Sequence, residues 1–527
     1  MIQLNLPDRF NVARYLIDRN VEEGRGEKAA ILSGDQTYTY LQLLQNVNRA
    51  ANMLAGLGVE MENRVMLLLR DSPEMIFCFY GAIKLGAVPI PTNILMKAND
   101  FLHVINDSRA RVLVVDSVFL PEIEKILDRT RFLRSIVVVS EENHAHLSFD
   151  DLMNRASDQF AAVETSPDDV AFWLYSGRNP EMLMGAVHHH SHPVYCSEAY
   201  ARGVLNMTED DRVMGSFLFF AYGLGNSAYF PFAVGATTIL TGHRPLPDLV
   251  YDDLVRFRPT LFFTVPTLLG ALADYKNACR KEGKNLPPLT GLRACISSAE
   301  ILSPDVYSRF KEAFGVEILD GTGSTEICHI FLSNFFGEVK PGSTGKVVPG
   351  YDARLLDDDG RPVDRGRTGN LQVRGGSIAS AYWNRRDETK RNMLGEWFVT
   401  GDRYMMDEDG FYYFRGRSDD MLRVGGRWLA PQEVENTLNQ HPAVAESAVV
   451  GYHDSDELIK PYAFVVLRAG YSPSEGLDSE IKSFVKDRIA TYKYPRWIAF
   501  VDRIPRTEGG KIQRFVLQER IKQLTVA

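Results

Sequence analysis

Cysteine is scarce in this chain: five occur in 527 residues (Cys78, Cys196, Cys279, Cys295, Cys328), odd in number, far apart and without a C-x-x-C pair. That favours reduced thiols in a cytoplasmic protein over a disulfide framework or structural zinc. No apolar stretch is long enough to span a bilayer as a helix. The opening residues lack a basic region followed by an apolar core, so no secretory signal is expected. Positive charge is not in excess either. A net charge of −9 argues against nucleic acid or an anionic membrane as partner. Repeats and low-complexity tracts are also missing.

What remains is an ordinary globular composition, 45% hydrophobic and 24% charged, in a chain too long for one core. Two or more domains are expected. Short β-branched runs alternate with amphipathic stretches from the start. Strands are expected at 64–69, 87–91, 111–116, 135–140, 170–175, 236–240, 260–264 and 292–296, with a helix at 73–85. Such alternation indicates an α/β fold with parallel sheets covered by helices. From about Gly345 to Phe414, short strands with Asp-Gly turns (Asp359-Gly360, Asp409-Gly410) predict antiparallel hairpins or a small β-barrel-like subdomain. The polar segment Gly416-Arg417-Ser418-Asp419-Asp420 marks a boundary. It separates a large N-terminal domain, 1–417, from a small α+β C-terminal domain, 418–527. In the latter, helices are expected at 431–439 and 478–490 and strands at 446–451 and 463–467.

Four segments carry chemistry. Asp320-Gly-Thr-Gly-Ser-Thr-Glu326 joins a Gly-rich turn, which admits phosphate closely, to a carboxylate suited to magnesium. Gly401-Asp402 and Gly416-Arg417 pair a carboxylate, which can accept two hydroxyl hydrogen bonds, with a cation. Pro505-Arg-Thr-Glu-Gly-Gly-Lys511-Ile-Gln-Arg is a lysine-bearing loop. Phe219-Phe-Ala-Tyr222-Gly-Leu-Gly225 and Ile327-Cys-His329-Ile-Phe would form a flat slot fit for an aromatic ring. The run His188-His-His-Ser-His192 is not read as a metal site, because adjacent histidines diverge and no Cys or acid stands at ligand spacing.

In these motifs and their order the chain resembles the acyl-adenylating superfamily over essentially its full length. Within that superfamily it is most similar to benzoate–CoA and 2-aminobenzoate–CoA ligases. The resemblance implies roles for particular residues. Thr325 meets the α-phosphate and Glu326 holds Mg²⁺ if ATP is used. Asp320, Gly321, Thr322, Glu300, Asp402 and Arg417 hold the nucleotide. Lys511 neutralises charge developing during adenylation. Ala221, Tyr222, Gly223, Gly323, His329 and Ile330 line the acyl pocket, His329 meeting a carboxylate or an ortho substituent. It also implies that Asp419 is the hinge of a mobile C-terminal domain, that the active site lies in the cleft between the domains, and that one histidine of 188–192 faces the acyl site.

Two departures set the expected reaction. Relatives read approximately Ser-Ser-Gly-Ser-Thr-Gly-x-Pro-Lys-Gly where this chain has Ser176-Gly-Arg-Asn-Pro-Glu-Met-Leu-Met184-Gly185, with Glu181 opposing phosphates and Met184 replacing a cation. Ser297-Ser-Ala-Glu300-Ile301 replaces Ser-Ala-Gly-Glu-Ala, adding bulk where adenine would lie. The first expectation is therefore ATP-independent transfer of a benzoate- or 2-aminobenzoate-like acyl group from its coenzyme A thioester to the pantetheine thiol of an acyl carrier protein. AMP or ATP with Mg²⁺ is left open as cofactor, and covalent relay through Cys196 or Cys328 is a variant. One alternative is an ATP-dependent aryl-carboxylate–CoA ligase, and another a non-catalytic aryl-CoA-binding protein. The oligomeric state stays open.

Overall fold

The computed structural model describes residues 2–526, apart from 141, 143, 178–182, 216, 419–421, 425–426, 455–457 and 507–511. The chain divides into two compact units. One comprises Met1–Ser298, Pro304–Ala353 and Val373–Val399; the other comprises Ala299–Ser303, Arg354–Gln372 and Thr400–Ala527.

The first unit is built on two largely parallel sheets. In one, the strands run in the order Val88–Pro91, Arg64–Leu68, Val112–Asp116, Ser135–Val139, Leu147–Ser148, all parallel. Val112–Asp116 is buried at every position, as expected of a strand covered on both faces. The helix Pro73–Lys84 begins with proline in its first turn and is buried nearly all round, so it is packed between layers. The other sheet has nine strands. Its parallel centre runs Glu317–Gly323, Ala294–Ser297, Leu261–Thr264, Arg212–Met214, Thr237–Leu240, Ala29–Ser33, with antiparallel strands at both edges. A separate hairpin pairs Val170–Ser176 with Met184–His189.

In the second unit, strands Val444–His453, Ile459–Leu467 and Trp497–Phe500 form a sheet covered by helices Pro431–Leu438 and Glu475–Lys486. Residues 354–372 and 400–417 pack with this C-terminal segment, whereas the sequence reading divides the chain once, at Arg417. The strand Tyr412–Arg417 pairs with Asp402–Met406, and Ser418 continues the pairing through its N–H to Gly401 O, so the polar stretch begins inside a hairpin. The second helix starts three residues before the expected 478, because the Ser474 side chain accepts from Leu477 N–H and caps it there. Among the described residues no helix is long and apolar enough to cross a membrane.

One buried ion pair pins the edge of the first unit. Lys84, wholly buried, donates to Asp18 Oδ1 at 2.7 Å and to Asn48 Oδ1 at 2.6 Å. Burial lowers the lysine pKa and raises that of Asp18, and the pair opposes both shifts. Lys84→Ala should cost about 3–5 kcal/mol in denaturant unfolding, because it strands a desolvated carboxylate. Lys84→Met combined with Asp18→Asn should recover much of that loss.

Candidate active site

The motif Asp320–Glu326 begins as a strand and ends as a single 3₁₀ turn, Thr325–Ile327. All three carbonyls of that turn are held from other segments. Thr325 O accepts from His188 Nε2 at 2.8 Å, Glu326 O from the Ala379 N–H at 2.7 Å, and Ile327 O from the Ser377 hydroxyl at 2.8 Å. The Glu326 carboxylate is buried, and its Oε1 accepts from the Tyr382 hydroxyl at 2.9 Å. Among the described residues no group of three or more His, Cys, Asp or Glu could cage a metal. A lone, oriented carboxylate is nevertheless the donor that magnesium uses when it is also held by substrate phosphates, so Glu326 fits the expected ion.

The Gly-rich spacing has a packing cause. A Cβ on Gly323 would lie 2.5 Å from His329 O, because the chain turns back on itself in the hairpin Gly323↔Ile330. Cys328, φ +72°, makes the reversal. His329 follows it and is buried against Tyr222 (ring centroids 5.6 Å apart, 28° between planes) and edge-on to Phe230 (4.4 Å). Gly225 gives it room, since a Cβ there would meet the imidazole at 2.3 Å. Burial holds His329 neutral, its pKa lowered to about 3. Its Nε2 lies 2.9 Å from Asn226 Oδ1 and 3.3 Å from Tyr222 O, two acceptors, so the proton sits on Nε2. Nδ1 is then a bare lone pair, buried without a partner, as is Asn226 Nδ2. A neutral lone pair does not attract a carboxylate. Of the two contacts expected for His329, the geometry suits a hydrogen-bond-donating substituent.

Tyr222 lies in the turn Ala221–Leu224 with Ala221 and Gly223, and its hydroxyl donates to Ile296 O (2.9 Å) and Thr264 O (3.3 Å). The phenol end is thus tied to two strand ends. Asp320, buried beside Ser297 at the end of its strand, has a pKa raised well above the usual carboxylate range by desolvation. Sequence reading missed Asp71. Its carboxylate accepts the N–H groups of Phe217 (2.5 Å) and Leu218 (2.8 Å) and anchors the aromatic run, where Phe217 has φ +66°. An acid just after a parallel strand and before a helix-starting Pro73 was the available signal. Cys196 and Cys328 are both buried; burial drives the Cys328 thiol pKa upward, whereas for Cys196 hydrogen bonds with Cys328, Ser377 and Tyr351 outweigh burial and lower it. In the histidine run, His190 Nδ1 accepts from the Val12 N–H, and His188 and His192 bond to each other.

In the second unit Asp402 and Arg417 stand opposite each other in the hairpin, Arg417 Nη1 donating to Asp402 Oδ1 at 2.9 Å and to Thr400 O at 3.2 Å. Glu300 is half-buried in the same unit. Ala299 has φ +72° and is exposed. The Gly-to-Ala departure therefore falls where the backbone is left-handed, a conformation that L-residues adopt at a cost of about 1–2 kcal/mol. Lys511, Asp419 and the loop residues 178–182 lie outside the described residues. Three substituted loop positions are described, of which Gly177 is exposed. Leu183 is buried in the core cluster with Trp173 and Val187, and Met184 packs beside Tyr382 as the first residue of a strand.

Comparison places these features among known proteins. Residues 17–383 match the family described as AMP-binding enzyme, and residues 433–511 match its C-terminal domain. The chain is 44% identical to the benzoate–CoA ligase of Thauera aromatica over 98% of its own length and 97% of that protein. It is 41% identical to the 4-hydroxybenzoate–CoA/benzoate–CoA ligase of Rhodopseudomonas palustris, covering 97% and 94%. A crystal structure of an anthranilate CoA ligase in complex with anthranoyl-AMP superposes with a TM-score of 0.92 at 38% identity, covering 99% of both chains.

These relatives overturn the ATP-independent acyltransferase expected from sequence, and with it the carrier-protein acceptor: full-length similarity at this level is to CoA ligases. The expectation gave the side chains of 176–184 too much weight. A phosphate cradle is made by backbone N–H groups, which every non-proline residue supplies. Ala299→Gly should stabilise the second unit by about 1 kcal/mol in denaturant unfolding, by removing the left-handed alanine. An unchanged or lower midpoint would show that the alanine carries no strain.

Proposed function

The chain belongs to the AMP-binding enzyme family, and we propose that it is an ATP-dependent aryl-carboxylate–CoA ligase of the benzoate–CoA ligase type, acting through an acyl-adenylate. The observation that carries this reading is the direct run from the held turn Thr325–Ile327 into the buried Tyr222–His329 slot. Thr325 at the head of the turn and His329 in the slot are four positions apart in the chain. The full-length relatives named above support the same reading.

In this mechanism a carboxylate oxygen of the aryl acid attacks the α-phosphorus of ATP and pyrophosphate leaves. The thiol of coenzyme A then attacks the acyl carbon and AMP leaves. The aromatic ring lies against Tyr222, with Ala221, Gly223, Gly323 and Ile330 as walls. The Thr325 hydroxyl orients the α-phosphate, and Lys511 neutralises charge during the first step. Asp402, Arg417, Glu300, Asp320, Gly321 and Thr322 serve the nucleotide. Glu326 would hold Mg²⁺, which when bound offsets phosphate charge. The lone pair on His329 Nδ1 suits a ring with an ortho donor, which makes 2-aminobenzoate a candidate substrate. Asp419 is proposed as the hinge of a mobile domain, 418–527, and five buried free thiols are in keeping with a cytoplasmic protein.

The deciding experiment is acid-dependent ATP–pyrophosphate exchange over a panel of benzoates. Exchange is expected; its absence with every acid would reject the ligase reading. Lys511→Ala should lower exchange by about 10²–10³-fold while leaving thioester formation from a supplied aryl-adenylate nearly intact. His329→Leu should lower kcat/KM for 2-aminobenzoate relative to benzoate by about tenfold, the effect of losing one buried hydrogen bond.

A further inference from the structure

We infer that His188 is a positioning residue for the Thr325 turn; the inference rests on the ligase reading of that turn. His188 stands near the end of the strand Met184–His189, the strand that leaves the substituted loop. It is wholly buried, and its ring stacks on Phe172 at 5.1 Å with 19° between planes. A carbonyl only accepts, so the 2.8 Å contact to Thr325 O requires the proton on His188 Nε2. Burial keeps the ring neutral, its pKa lowered to about 3, so Nδ1 is left as an acceptor. That acceptor faces His192 Nδ1 at 3.0 Å, in the helix Ser191–Cys196. His192 Nδ1 also accepts from the His189 backbone N–H at 3.4 Å, so it is the bond to Thr325 O that selects the His188 tautomer.

Thr325 O is a particular atom to hold. It also accepts from the Cys328 N–H at 3.1 Å, the bond that closes the 3₁₀ turn. Both of its lone pairs are engaged, and the peptide plane joining Thr325 to Glu326 cannot rotate without breaking one of the two. That plane sets the direction of the Thr325 hydroxyl and the start of the Glu326 side chain. His188 thus ties the strand leaving one phosphate-facing segment to the turn that forms the other. Misplacing reacting groups by a fraction of an ångström lowers turnover more than it lowers affinity for a remote part of the substrate.

The test uses the full chain and two polar substitutions of similar size. In His188→Gln the amide nitrogen reaches the Nε2 position and keeps the donor to Thr325 O. In His188→Asn it reaches only the Nδ1 position and loses that donor. His188→Gln is expected to stay within about threefold of the parent in kcat for pyrophosphate exchange. His188→Asn should fall by about 10- to 100-fold in kcat, with KM for the aryl acid unchanged. Equal activity of the two variants, or a loss confined to the KM of the aryl acid, would overturn the inference. Should His188→Asn not fold, His188→Leu provides the second arm, since it removes the donor to Thr325 O while keeping the site filled. A kcat loss with unchanged aryl-acid KM supports the inference, and parental kinetics reject it. Failure of the ligase reading shows separately, as no acid-dependent exchange by the parent chain.

Discussion

The site depends on one short turn being unable to relax. Thr325–Ile327 has three consecutive carbonyls, and each accepts from a group remote in sequence: His188, Ala379 and Ser377. A 3₁₀ turn has poor internal hydrogen-bond geometry and would otherwise be soft. Here its outward oxygens are committed, its Glu326 carboxylate is bonded to Tyr382, and the chain beyond it is forced back by the left-handed Cys328. Rigidity on this scale is what electrostatic catalysis of phosphate chemistry requires, because donors and charges must be in place before the reaction begins.

The same architecture explains why the substituted loop misleads. Residue identity there departs from the acyl-adenylating pattern at nearly every position, and a side-chain reading infers a lost function. The described part of the departure has another cause. Leu183 fills the hydrophobic core and Met184 lies on a strand against Tyr382, the residue that orients Glu326. Side chains here serve packing that supports the turn. Contact with phosphate, where it occurs in such loops, is a backbone property.

Much of the fold was legible because it rests on burial. The strand expected at 64–69 is found at Arg64–Leu68, that at 135–140 at Ser135–Val139, and that at 260–264 at Leu261–Thr264. Uninterrupted β-branched runs in a parallel sheet leave few alternatives. Boundaries set by a single side chain were less legible, as with the Ser474 cap that starts a helix early. Least legible were contacts between distant segments. Asp71 reaches Phe217 across 146 positions and His188 reaches Thr325 across 137, and neither leaves a local pattern. The π-helical turn Gly225–Tyr229, which presents Asn226 to His329, also lacks a periodic signature. The motif residues Thr325, Glu326, Asp402 and Arg417 were readable because their chemistry is carried in short runs.

Burial also sorts charge within the first unit. Desolvation lowers the pKa of His188 and His329 to about 3, lowers that of His192 well below the usual imidazole range, and raises that of Asp320 well above the usual carboxylate range. The His329 imidazole packed against Tyr222 is thereby uncharged near neutrality. A neutral wall imposes no penalty on an apolar ring, and hydrogen bonds in it discriminate between ring substituents by direction alone. Outside the slot, the Glu326 carboxylate is oriented by the Tyr382 hydroxyl. Arg417 is fixed by Asp402 within its own hairpin. A buried neutral imidazole beside Tyr222 can select among ring substituents by shape and hydrogen-bond direction, without charge.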